Sequence, residues 1–188
     1  KLTKGSANRL IAMLPKNVDS ASIGMGMSLD PEALTTLIRK LRQARTKLVL
    51  DASALIPQVL EEISNTGSIV TPHIGEYKRL FGSEPGTTKE EMLSNVHKLA
   101  KEHGITIVLK GWVNIISDGQ QLTAIKRSTP AMTVGGTGDV LSGLAAALLA
   151  KMEPFDAAIV AIYVNGLAGT LAFKQAGLHI IATDLIDN

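Results

Sequence analysis

The sequence predicts an α/β fold, a three-layer sandwich of helices around a mostly parallel central sheet. Three observations carry this. Short apolar or β-branched runs alternate with helix-period segments through the first 110 residues, as βαβ crossovers require. Several of these runs stop at glycines, a carboxylate or a proline turn, marking strand ends where open α/β sheets place their ligands. Beyond them come a hairpin signal and two apolar helices.

In chain order, Asp19 to Ile23 reads as a short strand running into Gly24-Met25-Gly26. Pro31 opens a helix, its fixed φ suited to a first helical position, and Leu34, Leu37, Ile38 and Leu41 recur on one face. Lys47 to Leu50 is a buried strand that stops at Asp51. A short helix follows near Pro57 to Ile63, then a strand over Ser68 to Val70 that runs into Thr71-Pro72-His73, with Gly75-Glu76 beginning the next helix. Thr87 to Glu102 is helical, with Thr88 and Glu91 in capping-box spacing and Met92, Val96 and Leu99 inward. Ile105 to Leu109 is a β-branched strand ending at Lys110-Gly111. Val113 to Ser117 and Gln121 to Ile125 flank Asp118-Gly119, a hairpin turn. A glycine-rich turn at 135–138 opens a small-residue helix. Pro154 opens another, to about Gln175, with Phe155, Ile159, Ile162 and Gly166 on one stripe and Ala168 and Gly169 placed for close helix packing. Residues 1–17 carry no clear period. An open sheet of this kind begins on a strand, so a leading strand–helix segment is expected ahead of a single domain spanning 1–188.

Composition narrows the function. A chain of 188 residues with 45% hydrophobic content can bury one substantial core. Nineteen basic against seventeen acidic side chains leave +2, no footprint for nucleic acid, and 3% aromatic content offers few platforms for bases. Absence of cysteine excludes disulfides, thiolate chemistry and cysteine-ligated zinc. His73, His97, His103 and His179 show no paired ligand spacing. Val140 to Ala150 is interrupted by Ser142 and Gly143 and is too short to span a bilayer. With no charged-then-apolar leader, a cytoplasmic protein without nucleic-acid or membrane partners is expected. The run Arg39, Lys40, Arg42, Arg45 and Lys47 reads as a solvated helix face.

The strongest chemical signal is Gly135-Gly136-Thr137-Gly138-Asp139, leading into Val140 to Gly143. Three glycines in four positions let backbone N–H groups turn inward as an anion nest, at the positive end of the helix that follows. A tight turn needs no such glycine density, whereas a ligand approaching the backbone does, and Gly138 is expected at positive φ. Asp139 falls in the first helical turn. There a carboxylate serves as a favourable charge, or accepts a proton from a hydroxyl already bonding to phosphorus.

Residues 135–143, with Thr71 to Glu76 and Val108 to Gly111 in that order, resemble the signature of the NAD(P)H-hydrate dehydratases, a ribokinase-like family related to carbohydrate kinases. Pro130 to Thr133 also matches, with Ala131 where the family usually has glycine, and the likeness runs from about Val18 onward. The resemblance implies a ribokinase-like sandwich. It implies dehydration of C6-hydroxylated NADH or NADPH, coupled to hydrolysis of ADP or ATP with Mg2+. Residue by residue, it implies Asp139 as proton acceptor and substrate contact, and Gly26 and His73 as further substrate contacts. Gly135, Gly136, Thr137 and Gly138, with Lys110, Gly111, Trp112, Val113 and Asn114, would bind nucleotide. Glu76 would hold a Mg2+-bound water, beside its plainer reading as a first-turn charge. A homo-oligomer is implied as well.

The chain also departs from the pattern. The family usually has Lys-Gly-Ala-Gly-Thr at 110–114, Gly-Pro-Gly-Leu-Gly at 24–28, Asp-Ala-Asp at 51–53 and His-Gly at 165–166. Trp112 either stacks on a ring or covers the sheet edge, and the second is expected. Two other functions share these residues: a sugar or vitamin-precursor kinase of the same fold, and a nucleotide-binding protein without catalysis. The 71–76 block speaks against the first and Asp139 against the second.

Overall fold

A computed structural model describes residues 3–15, 17–28, 30–126 and 129–188. Within them, strands β1 (Ser20–Ile23), β2 (Lys47–Leu50), β3 (Ile69–Val70), β4 (Thr106–Leu109), β5 (Asn114–Ser117) and β6 (Leu122–Ile125) form one sheet in chain order. Strands β1 to β4 are parallel, and β5 and β6 return antiparallel through the expected hairpin, where Gly119 takes φ 85°. Helices α1 (Lys4–Met13), α2 (Pro31–Gln43), α3 (Leu60–Ile63), α4 (Ile74–Phe81) and α5 (Lys89–His103) lie on one face. The other face is covered by α6 (Thr137–Leu149) and α7 (Pro154–Ala176). This is the three-layer sandwich with a mostly parallel sheet.

Strand alternation sorts side chains between the two layers. Leu48, Leu50, Val70, Ile107 and Leu109 pack with Leu34, Ile38, Tyr77, Val96 and Ala100 of the first layer. Their neighbours Val49, Ile69, Val108 and Ile116 meet Leu141, Ala145, Leu149, Phe155, Ala158 and Ile162 of the second. Burial on both faces is why the strands read as unbroken apolar runs. Crossovers of one hand, joining strands added in one direction, all fall on the same side. The opposite face is left for α6 and α7.

Local chemistry sets the helix ends. Asp30 accepts from Ala33 N at 3.0 Å ahead of Pro31, and Glu91 Oε2 accepts from Thr88 N at 3.1 Å while Thr88 Oγ1 accepts from Glu91 N at 3.2 Å. Helix α1 is the element that sequence period misses. Thr3 and Ser6 cap it reciprocally, but among the described residues only Ala7 is buried and only Ile11 joins it against the core, too little to register as a stripe. The basic run also needs correcting at Lys47, whose Nζ donates to Leu149 O at 3.0 Å and so places a cation on the carbonyl end of α6. Arg39 and Arg42 both reach Glu62. Gly169 makes room for Met132 rather than for a second helix, since a Cβ there would collide with the Met132 sulfur. The segment Pro154–His179 is longer than Val140 to Ala150, and by length and composition alone it would cross a membrane; Phe155, Ala158 and Ile162 bury it on the sheet and α6.

Tyr77 is fully buried beside Phe81, with ring centroids 4.8 Å apart, and its hydroxyl has no hydrogen-bond partner. Tyr77→Phe is expected to keep or raise the unfolding free energy, by up to about 1 kcal/mol in urea titrations, because it removes an unpaired buried group. Burial also pushes the Tyr77 phenol from 10.0 up to about 12. The folded state therefore holds this proton more tightly than the unfolded chain. Its contribution is complete below pH 10 and is lost as pH rises towards 12, a loss that the Phe variant lacks at this position.

Candidate active site

Ser20 Oγ donates to Ala146 O at 2.6 Å and Lys47 to Leu149 O, so α6 runs against β1 and β2 with its first turn at their carboxyl ends. Those ends carry the site. Asp51 follows β2, Thr71 and His73 follow β3, and Lys110 follows β4.

Asp51 is 1% exposed and fully engaged. Oδ1 accepts from Lys110 Nζ at 2.7 Å and from Ala52 N at 2.8 Å, and Oδ2 accepts from Ser142 Oγ at 2.7 Å. Ser142 lies in α6, with its Oγ 3.4 Å from Thr71 Oγ1. A carboxylate this buried persists only when its lone pairs meet charge and donors, and here all the partners are present. Ala52, next in the chain, sits at φ 50°, an uncommon conformation for a residue with a Cβ. Arg79 of α4 holds that turn, donating from Nε to Leu55 O at 2.8 Å and from its guanidinium to Ala52 O. On the other side, the turn after β1 passes so close that a Cβ on Gly24 would overlap Asp51 O. Gly26 lies in the same turn at φ 62°, with open space around it.

Lys110 Nζ also lies 3.6 Å from Glu76 Oε2. That oxygen accepts from His73 N at 2.8 Å, while His73 Nδ1 accepts from Gly75 N at 3.0 Å and Glu76 N at 3.2 Å. The two residues thus cap α4 reciprocally, with a histidine in the role usually taken by serine or threonine. Because Nδ1 is an acceptor, the neutral ring carries its proton on Nε2, 3.6 Å from Glu76 Oε1. The His73 side chain is largely exposed, so this N–H faces any ligand at the strand ends.

Gly136 takes φ 94° and is the N-cap of α6, with no side-chain cap on the helix. The positive φ expected at Gly138 is therefore found two residues earlier, because Gly138 already lies inside the first helical turn. Gly138 lies over the Asp51–Lys110 pair: a Cβ there would make ordinary contacts of 3.5 Å to Lys110 Nζ and 3.7 Å to Asp51 Oδ2. Thr137 spends its hydroxyl on Met132 O at 2.8 Å and Val134 O at 3.1 Å, tying the preceding turn down. The first-turn N–H groups are left without a side-chain cap. Asp139 is exposed in that same turn.

A cavity of about 560 Å3 opens beside this turn, within the size range of small-molecule sites. His73, Lys110, Gly111, Trp112, Asn114, Thr137 and Gly138 of the predicted set line it, walled by Pro130, Met132, Val134, Leu141, Ile162 and Asn165. Gly26, Glu76, Val113, Gly135, Gly136 and Asp139 are not in its lining. Asn114 is 7% exposed, and its Oδ1 accepts from Gly111 N at 3.3 Å, closing the turn after β4. Trp112 does not cover the sheet edge as expected. It is 57% exposed at the cavity, with Lys126 Nζ 5.3 Å from its ring centroid.

Sequence reasoning missed Asp51, Ser142, Thr129 and Asn165 as site residues. For the first two a signal existed: a buried strand stopping at a carboxylate, and a hydroxyl inside an apolar helix.

Residues 3–188 match the model of the NAD(P)H-hydrate dehydratase family. The chain belongs to that family. An archaeal member, the ADP-dependent (S)-NAD(P)H-hydrate dehydratase of Nitrosopumilus maritimus, is 49% identical over 188 residues, which cover 99% of this chain. The chain spans 66% of that relative's length. The Bacillus subtilis ADP/ATP-dependent NAD(P)H-hydrate dehydratase co-crystallised with ATP/Mg2+ superimposes with a TM-score of 0.81 at 24% identity, covering 97% of this chain and 66% of that one. A ribokinase-like superfamily protein of Enterococcus faecalis gives 0.76 at 23% identity, covering 98% and 65%. These likenesses show that the chain shares the fold of both structures.

Asp51→Asn is expected to lower the unfolding free energy by about 2 kcal/mol, because it removes the nearer carboxylate from the Lys110 ammonium and leaves only Glu76, at 3.6 Å, as counter-charge. Urea denaturation of the two proteins measures it. A change under about 0.5 kcal/mol, the scale of an ordinary surface substitution, would reduce this ion pair to a surface contact.

Proposed function

We propose that this chain dehydrates the C6-hydroxy form of NADH or NADPH back to the reduced dinucleotide, driven by hydrolysis of ADP or ATP. The observation that carries the reading is the glycine-opened, uncapped start of α6, set over the Asp51–Lys110 pair beside a cavity of ligand size. Its archaeal relative is named as ADP-dependent, and the Bacillus subtilis enzyme was crystallised with ATP/Mg2+. A small-molecule kinase would use the same phosphate cradle, and family membership favours the dehydratase.

Hydroxide is a poor leaving group, and a bound nucleotide supplies the phosphoryl group that converts it to phosphate. Asp139 accepts the hydroxyl proton as the oxygen bonds to phosphorus. The N–H groups at 135–138 hold the charge that develops on the phosphoryl oxygens. His73 Nε2–H contacts the hydrated dinucleotide, with Gly26 on the neighbouring strand end. Lys110 to Asn114 border the nucleotide, and Asp51 fixes the position of Lys110. In the second stage the C6–O bond breaks, a ring proton leaves, and the ring double bond returns.

Among the described residues no three histidine or acidic side chains cluster as a ligand set. Mg2+ keeps several waters and leans on substrate phosphates, so the residues fit it with Glu76 as a partner through water.

Recovery of reduced-nicotinamide absorbance from hydrated NADH, with ADP or ATP and Mg2+, tests the assignment directly. Asp139→Asn should lose roughly 10²–10⁴-fold in turnover and keep its nucleotide affinity, since the near-isosteric amide removes the proton acceptor alone. Near-normal dehydration by this variant would leave Asp139 as a helix-terminus charge. Millimolar ADP should also raise the melting temperature through linkage to the folded state, and an unchanged melting curve would count against nucleotide binding.

A further inference from the structure

Among the described residues, three buried side-chain atoms have no hydrogen-bond partner: Tyr77 Oη, Thr129 Oγ1 and Asn165 Oδ1. Thr129 and Asn165 both line the cavity beside α6, whereas Tyr77 lies in the packed core of the opposite layer. Native interiors leave few such groups, because each loses its water without a replacement. Two of the three at one cavity point to an occupant that supplies the missing partners.

The surroundings limit what that occupant is. Asn165 is 7% exposed on α7, and the nearby lining side chains Leu141, Ile162, Pro130 and Met132 are apolar. Charge belongs instead with Lys110 and the start of α6. The α7 wall therefore suits a flat, neutral ring with a polar edge. A carboxamide offers an acceptor and donors in one plane, the complement of an edge that donates and accepts side by side. The 6-amino group of adenine with its adjacent ring nitrogen is such an edge, and asparagine is the side chain that pairs with adenine in this bidentate way. Thr129 adds a hydroxyl that serves as donor or acceptor. Its place follows from packing. Thr129 starts the turn Pro130–Thr133, and Met132 of that turn fills the space over Gly169, one helical turn beyond Asn165.

We infer that Asn165, assisted by Thr129, reads the 6-amino edge of the adenine ring and so sets the base preference of the nucleotide site. This rests on the nucleotide reading above and adds the residues that recognise the base.

Calorimetric titration of the full chain with ADP and with purine riboside diphosphate, which lacks the 6-amino group, tests it. The wild type should bind ADP at least about tenfold tighter than the analogue, the scale of one hydrogen bond to a buried partner. Asn165→Leu should weaken ADP about tenfold more than it weakens the analogue, which has only the ring-nitrogen bond to lose, so that the discrimination collapses. Thr129→Val should show the same selectivity with a loss of about threefold, and it carries the comparison should Asn165→Leu not give the wild-type far-UV circular dichroism. Equal weakening of both ligands by either variant would make these residues shapers of the cavity and overturn the inference. Unchanged ADP affinity in both variants would overturn it too, and assign the unpaired atoms to ordered water. A wild type that binds neither ligand would instead overturn the nucleotide reading itself, and this inference with it.

Discussion

The buried carboxylate of Asp51 holds the parts of this molecule together at the place where they matter. Its three donors come from the turn after its own strand, from the end of β4 and from the second turn of α6. One side chain thus fixes the spacing of two strand ends and the docking of a helix. Because charge is so costly to bury unpaired, the arrangement is nearly all-or-none. A shift of α6 takes the Ser142 donor away from Asp51 and moves the glycine turn off the sheet edge. Gly24 passes close to the Asp51 backbone carbonyl, and the left-handed Ala52 turns its N–H onto the carboxylate.

Much of the fold was legible because its signals are local. Capping pairs, proline at a first helical position, the Asp-Gly hairpin and two-sided apolar strands depend on residues a few positions apart. What escaped depends on tertiary context. Helix α1 has one buried residue and one partly buried one against the core, so no stripe marks it. Lys47 looks like any solvated lysine until α6 brings its last carbonyls within 3.0 Å. The glycine turn was recognisable as a cradle, yet which glycine takes the left-handed conformation depends on where the helix starts. That point falls at Gly136 and leaves Gly138 inside the first helical turn.

The same division runs through the site. Residues within one compact block, such as 71–76, 108–111 and 135–139, are identifiable from spacing and resemblance. Residues that join only through folding are not: Asp51 and Ser142 are 91 positions apart and meet at 2.7 Å. Asn165 sits in an apolar helix, beside the stripe of Ile162 and Gly166. Its unpaired oxygen becomes meaningful only once α7 lies against the cavity. Trp112 shows the converse, a large ring that sequence reading assigns to covering and the fold leaves open at the cavity.

The two helical layers are also separated in time. Every helix of the first layer precedes Gly104, whereas the second begins at Thr137. A chain emerging from the ribosome completes β1 to β4 and their crossovers while Val49, Ile69 and Val108 still face water on the uncovered side. During that interval Asp51 lacks Ser142, and the glycine turn that opens α6 has not formed. The growing chain therefore keeps that apolar face open until α6 and α7 have emerged, and any ligand that needs the start of α6 rewards only chains whose translation has passed that point.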